Sequence, residues 1–288
     1  MDNITTAFDR ITIASAKYRK PLIVKTTKMF GDVLHGSIIV RHFRHQNADM
    51  PIIWAVSEKY VEPLKYYKYA TEIVGLPHDM TLEDRQTLNK QMRRNFHHII
   101  SPCVGVSGWR IIGSIADQCF YNAGIKKLEV PRCPVLPLGA EDYEWANHFI
   151  TKHNLKRYIC MEYNSFSFER KTKGGIWPLE YYEEFLATTK YPVIWLAHPE
   201  AAAFKNGIDG RNTTWRQAAA LIKNASLFLG SGSGLTMVAA TEGIETPIME
   251  VNIGESVTMK GCGYKKSIDL HKQKPKTLVD EVNRFFKA

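Results

Sequence analysis

Over Pro21–Gln46, PLIVKTTKMFGDVLHGSIIVRHFRHQ, the chain changes its periodicity once, and that change limits what it can fold into. Leu22, Ile23 and Val24 form a short apolar run of the kind a buried parallel strand needs. Thr26–Phe30 breaks the run, and Gly31 offers the freedom a tight turn requires. From Asp32 the pattern is helical, with Val33, Leu34, Ser37, Ile38, Val40 and Arg41 sorting onto an apolar and a polar face. A strand running into a helix puts Asp32 at the mouth of the turn, where the carboxyl ends of parallel strands collect ligands. On local chemistry alone the same carboxylate serves equally as a helix cap.

Alternation of this kind continues. Pro51–Val56 and Val74–Leu76 read as strands, Leu82–Phe96 as a charged helix capped by Thr81, and Trp109–Ala123 as a further helix. The Tyr and Lys residues of Tyr60–Tyr69 read as lysine stems packed over aromatic rings. Three prolines in Val130–Gly139 forbid a helix and stiffen an extended linker. Beyond it come helices at Glu141–His153, Leu179–Thr188, Trp215–Lys223 and Leu235–Thr241, with strands at Tyr158–Glu162, Pro192–Ala197 and Ser226–Leu229. Thr214 followed by Gln217 is a capping box. The expected architecture is α/β in two domains, residues 1–138 and 139–288, with a cleft between them.

Composition narrows the function classes. Hydrophobic residues at 44% and aromatics at 11% exclude a disordered chain. The opening MDNITTAFDR lacks the apolar core of a signal peptide, and the longest apolar run, Tyr191–Ala197, is too short to span a bilayer. Five scattered cysteines without CxxC spacing read as reduced thiols of a cytoplasmic protein, not as a zinc site. A net charge of +9 fits an anionic partner, yet it also fits a plain basic surface.

Two stretches of the second half carry phosphate chemistry. In Asn164–Leu179, Ser165, Ser167, Lys171 and Lys173 precede two glycines and then Trp177-Pro178, which starts a helix. Hydroxyls, cations and free backbone N–H groups ahead of a helix suit a diphosphate, although a solvated basic loop has the same composition. In Leu229–Thr241, LGSGSGLTMVAAT, a strand runs into a glycine- and serine-rich turn holding Ser233 and Gly234, then a helix. That is either a second anion-binding geometry or a tight packing turn.

The wording of these motifs resembles the bacterial lipopolysaccharide heptosyltransferases of glycosyltransferase family 9. Their opening strand and loop read close to IVKTSSMGDVLH, against IVKTTKMFGDVLH here. Their second domain carries a lysine-x-Trp-Pro motif and ends on strand–Asp-[Ser/Thr]-Gly-Leu-x-His–helix, where this chain has KGGIWP and GSGLTM. The resemblance implies a GT-B fold, two Rossmann-like domains facing across a cleft. It implies an inverting, metal-independent glycosyltransferase with Asp32 as catalytic base. Ser165, Ser167, Lys171, Lys173, Glu200, Ser233 and Gly234 fall in the donor-binding places, Glu200 matching a glutamate that holds the donor ribose.

No cofactor is implied beyond the donor substrate itself, a nucleotide-diphosphate sugar. The implied acceptor is a glycan or lipid-linked glycan. The chain departs from the family pattern where Gly232 replaces an aspartate and Met237 a histidine, both facing the donor in the family. Lys173 also lies farther from Trp177 than the family lysine, whose place Gly175 takes. These departures and the charge leave two alternatives: a phage-type enzyme that glycosylates hydroxymethylated bases of DNA, and a nucleotide-sugar-binding protein without turnover. Oligomeric state is not legible.

Overall fold

A computed structural model describes residues 2–26, 29–102, 115–163, 178–201, 203–251, 267–269 and 274–287. The chain divides into two compact units, one running to Pro137 and the other starting at Leu138.

The first unit contains, in order, α1 (Asn3–Ala16), β1 (Leu22–Thr26), α2 (Phe30–Gln46), β2 (Ile52–Ser57), β3 (Glu72–Leu76), α3 (Leu82–Asn95), β4 (Ile99–Ile100) and α4 (Ile115–Asn122). Its described strands pair in parallel in the order β3-β2-β1-β4. Ile23, Ile53 and Ala55 face one side and meet Ala7, Ile11 and Ala14 of α1 and Leu88 and Met92 of α3. Every residue of β1 and β2 is buried, because helices cover both faces, and each large aliphatic group so buried stabilises by roughly 1.5–3 kcal/mol. Thr81 caps α3 by accepting the Asp84 N–H at 3.1 Å, as its position before the charged helix predicts.

The helix α2 departs from the expected two-faced pattern: Val33 through His42 are all buried. The reason lies in the proline-containing segment. Pro131 and Cys133 carbonyls accept from the Arg41 guanidinium, Val135 N–H donates to Ser37 Oγ at 2.9 Å, and Glu129 N–H donates to His42 Nδ1 at 3.3 Å. The polar residues of α2 therefore satisfy the backbone of an extended strap laid over it, which buried backbone groups require. The helix also starts at Phe30, earlier than expected. Gly31 sits inside its first turn without a left-handed backbone, so the turn makes no glycine demand there.

The second unit contains α5 (Ala140–Lys152), β5 (Ile159–Glu162), α6 (Leu179–Thr188), β6 (Val193–Leu196), β7 (Ile208–Asp209), α7 (Trp215–Asn224), β8 (Leu227–Gly230), α8 (Gly234–Ala239), β9 (Ile248–Glu250), β10 (Ser267–Asp269) and α9 (Pro275–Lys287). Its described strands are all parallel, in the order β10-β9-β8-β5-β6-β7. The capping box at α7 forms as its sequence predicts, with Gln217 N–H on Thr214 Oγ1 at 3.2 Å and the return bond at 2.9 Å. Pro178 stands just before α6 rather than at its first position. The strands β7, β9 and β10 and the helix α9 were not expected. In α9, Leu278, Val282 and Phe286 recur one turn apart and are buried, and Phe286 stacks on Tyr191 at 3.8 Å.

Candidate functional site

In parallel α/β sheets ligands gather beyond the carboxyl ends of the strands. In the first unit that end carries Asp32. It occupies the third position of α2, half-buried, and its Oδ2 accepts the Met29 N–H at 3.2 Å, so it closes the first helical turn. The neighbouring Tyr60 follows β2. Its ring packs on Phe30 at 5.1 Å. Burial first, and then the charge of Asp32, pushes the Tyr60 hydroxyl up to about 12. Tyr60 is therefore a neutral phenol packed against the start of α2, beside the carboxylate.

One turn further, His35 is buried at 2% exposure, and its Nδ1 has no hydrogen-bond partner among the described residues. Burial, reinforced by the Arg132 charge, depresses it to about 4, so near neutral pH it is an uncharged core group. Lys25 is 3% exposed within β1, next in sequence to the apolar Leu22, Ile23 and Val24. Nearby, Lys59, Lys65 and Lys68 lie over the rings of Tyr60, Tyr66 and Tyr69 at 5.1, 5.0 and 5.6 Å, which is the packing expected for that cluster.

In the second unit the corresponding end is built around the β8–α8 turn, Ser231-Gly232-Ser233. Gly232 takes a left-handed backbone, φ +77°, which suits glycine. The strand before it passes so near Thr236 that a Cβ at Gly230 would stand 2.5 Å from the hydroxyl. That hydroxyl is the hub of the turn. It accepts the Gly232 N–H at 3.1 Å and the Ser233 N–H at 3.4 Å, and donates to Glu162 Oε2 at 2.8 Å. Glu162, the last residue of β5, is 2% exposed and also accepts the Ser231 N–H at 3.1 Å. Burial raises its pKa, and the surrounding N–H and O–H donors act in the opposite direction. A second buried carboxyl, Glu250, ends β9 and is in register with Gly230.

The sequence-predicted residues distribute as follows. Asp32 stands at the carboxyl end of the first sheet. Ser233 and Gly234 stand at that of the second, half-exposed, with Ser233 capping α8 by accepting the Leu235 N–H at 3.3 Å. Met237, in the place where the resemblance sets a donor-facing histidine, is 1% exposed and belongs to the core. Glu200 follows β6 on an exposed turn, its carboxylate 3.9 Å from His198 Nδ1. Ser165, Ser167, Lys171 and Lys173 lie outside the described residues. The sequence does not single out Glu162, Thr236 or Lys25, although a carboxylate closing the run ICME and a lysine inside LIVKT are legible signals, and it offers Tyr60 only as part of a packing cluster.

A groove of about 640 Å³ edged by Arg19, Lys20, His97 and His98 lies at the opposite, amino end of the first sheet. It is remote from the strand ends that carry Asp32, and the chemistry is assigned to the carboxyl ends on the sheet argument. Among the described residues no group of three or more His, Cys, Asp or Glu side chains could hold a metal ion, and no helix is long and apolar enough to cross a membrane.

No protein-family profile matches the chain, and no curated protein matches it in sequence. Solved structures do match its fold. A glycosyl transferase family 9 protein from Veillonella parvula aligns over 93% of this chain and 89% of its own, at 13% identity and a TM-score of 0.66. The E. coli ADP-heptose lipopolysaccharide heptosyltransferase II aligns over 93% and 98%, at 13% identity and a TM-score of 0.65. The E. coli heptosyltransferase WaaC with ADP-2-deoxy-2-fluoro heptose aligns over 93% and 99%, at 13% identity and a TM-score of 0.55. The chain therefore has the α/β fold of GT-B glycosyltransferases, with its two parallel sheets.

Proposed function

We propose that the protein is a glycosyltransferase that moves a sugar from a nucleotide-diphosphate donor to a hydroxyl acceptor, acting in the cytoplasm. One observation carries the reading: Asp32 closes the first turn of α2 at the carboxyl end of β1, held by the Met29 N–H, in a chain with the fold of heptosyltransferases. A carboxylate so held is oriented by the backbone, and a carboxylate can accept a proton from an acceptor hydroxyl. Attack by that hydroxyl on the anomeric carbon, opposite the departing diphosphate, inverts the configuration. The second unit binds the donor. Lys171 and Lys173 supply the countercharge for the leaving diphosphate, the kind of electrostatic stabilisation that is usually the largest catalytic contribution. The sequence has no Asp-x-Asp pair, which supports a reaction that needs no divalent metal. Ser165, Ser167, Ser233 and Gly234 complete the donor contacts. Glu200 belongs with them only if the donor reaches its exposed turn.

The acceptor is anionic in this reading. The net charge of +9 supports it. A phosphorylated lipopolysaccharide-core glycan fits the family resemblance, and duplex DNA carrying hydroxymethylated bases fits the charge. A panel of nucleotide sugars, offered with each acceptor and read by mass spectrometry, tests the proposal. Transfer to a core glycan is the expected result. Nucleotide binding without transfer to either acceptor would leave a binding protein. Transfer to DNA, with duplex affinity falling steeply as salt rises, would replace the glycan acceptor.

A further inference from the structure

The groove at the amino end of the first sheet is built by the starts of three adjoining strands. The Leu22 N–H donates to the Pro51 carbonyl and the Ile23 N–H to the His98 carbonyl, both at 2.9 Å, so the entries of β1, β2 and β4 are clamped side by side. Ile23 of β1 is in register with Ile99 of β4, which sets Arg19-Lys20 and His97-His98 at neighbouring strand entries. These four side chains edge a hollow of about 640 Å³, a size that suits a small organic ligand. All four are exposed, and among the described residues none of them makes a side-chain hydrogen bond or ion pair. Lys20 also holds a left-handed backbone, φ +51°, which is uncommon for a residue with a side chain and persists only where its surroundings impose it. The lining is apolar at Leu22, Phe43, Ile99 and Ile100, the last three only half-buried. Asp49 is the single acid on the edge among the described residues. Beside it, Asn47 Oδ1 accepts the Asp49 and Met50 N–H groups at 3.2 and 3.1 Å, which leaves the Asn47 amide NH2 as a further donor.

We propose that this groove is a second ligand site, which takes a small organic phosphate monoester. Arg19, Lys20, His97 and His98 hold its phosphate, and its apolar or aromatic body lies on Phe43, Ile99 and Ile100. Guanidinium, ammonium and imidazole N–H groups donate, and phosphate oxygens accept, so the donor set and the anion match. A carboxylate has two oxygens to offer four such groups, whereas a phosphate monoester has three terminal oxygens and up to two charges. A phosphodiester of nucleic acid has two free oxygens and is bound by cations spread along its backbone, unlike the donors gathered here on one hollow. Two permanent cations against the single Asp49 leave the groove positive, and a hydroxyl on the ligand body can donate to that carboxylate. The site stands at the opposite end of the sheet from Asp32 and does not depend on the proposed sugar transfer.

The test titrates the isotopically labelled full chain with inorganic phosphate and with phenyl phosphate, and follows the backbone amide resonances of Leu22, Met50, His98 and Ile99. Separate samples receive phosphatidylcholine vesicles containing phosphatidic acid, or a short DNA duplex. Phenyl phosphate is expected to shift these resonances in a saturable way and to bind about tenfold tighter than inorganic phosphate, because only its ring covers the apolar lining. Lys20→Gly removes a cation at a position whose backbone suits glycine, so the variant is expected to fold. Combined with Arg19→Gln it should weaken phenyl phosphate at least about tenfold. Absence of saturable shifts would overturn the proposal, as would unchanged affinity in the folded double variant or equal affinity for the two phosphates. A response to the vesicles or the duplex without one to phenyl phosphate would also overturn it, and would give the groove to a lipid surface or a nucleic acid. Sugar transfer is not part of this readout, so the proposed function and this site stand or fall separately.

Discussion

Gly36 on α2 lies against Thr26 on β1 so closely that a Cβ at Gly36 would stand 2.6 Å from Thr26 Cγ2 and 3.1 Å from its Oγ1. Thr26 cannot turn aside at low cost, because its hydroxyl accepts the Trp54 Nε1–H at 2.8 Å and both residues are fully buried. Helix and strand are brought together at this point, immediately before the segment that leads to Asp32.

Gly36→Ala is therefore expected to destabilise the protein. Alanine gains about 1 kcal/mol in helix propensity over glycine, whereas overpacking a rigid core costs about 1–3 kcal/mol. With Thr26 held by the Trp54 indole the clash prevails, for a net loss of up to about 2 kcal/mol. Urea denaturation of the two proteins measures it. Equal or greater stability in the alanine variant would show that the helix can move away from β1.

His35 gives a pH dependence with a definite sign. The unfolded chain protonates this histidine near pH 6.5, and the folded chain holds it neutral until about pH 4. Between those values only the unfolded state carries the extra proton, so acid favours unfolding. The contribution is fully present above pH 6.5 and is lost as pH falls to 4, about 3 kcal/mol from this group alone. His35→Gln should lose part of that slope. Denaturation at neutral pH and at pH 4.5 compares the two. Parallel pH profiles would mean that His35 is not the buried neutral group described.

In the second unit, α5 and α7 are joined by a buried ion pair. Arg216 Nε lies 3.2 Å from Asp142 Oδ2, with both side chains at 5% exposure or less, and Asp142 also accepts the Gly139 N–H at 2.8 Å. Asp142→Ala removes the buried partner of a guanidinium that also reaches Glu141 at 3.4 Å, and is expected to cost about 3 kcal/mol. Adding Arg216→Met removes the less well compensated charge, so the double variant should be no worse than Asp142→Ala and is expected to regain part of the loss. A double-mutant cycle from chemical denaturation decides this, and simple additivity would show that the two groups do not interact.

Much of the fold was legible where the determinants are local. The Leu22–Val24 run, the caps at Thr81 and Thr214 and the prolines of Val130–Gly139 each rest on residues near one another in sequence, and each appears where expected. What escaped depends on partners far apart in the chain. The burial of α2 all round follows from Arg41 and Ser37 bonding to the strap at Pro131–Val135, and no helical period encodes that. The short strands β7 and β9 are stabilised by their neighbours in the sheet rather than by their own length.

The candidate site divides along the same line. Asp32 stands out in the sequence because its place depends only on the strand and helix that flank it. In the β8–α8 turn, the serine- and glycine-rich wording shows a tight turn but not the carboxylate behind it. That carboxylate, Glu162, comes from a neighbouring strand of the sheet. Met237 shows the converse: its motif position carries a donor-facing histidine in the resemblance, whereas packing turns Met237 inward.

The most direct prediction concerns Asp32 itself. Asn preserves the size of the side chain and retains an oxygen able to accept the Met29 N–H, so the first turn of α2 should stay closed and the fold intact. What Asn lacks is a basic oxygen for the acceptor proton. If Asp32 is the general base, Asp32→Asn should lower the rate of transfer by about two to four orders of magnitude. Donor affinity, measured by calorimetry, should be nearly unchanged, because the donor contacts are assigned to the second unit. A loss confined to KM would place Asp32 in binding rather than proton transfer. Near-normal turnover by a folded Asp32→Asn protein would remove it from the mechanism, and the base would then have to be another group at the carboxyl end of the first sheet.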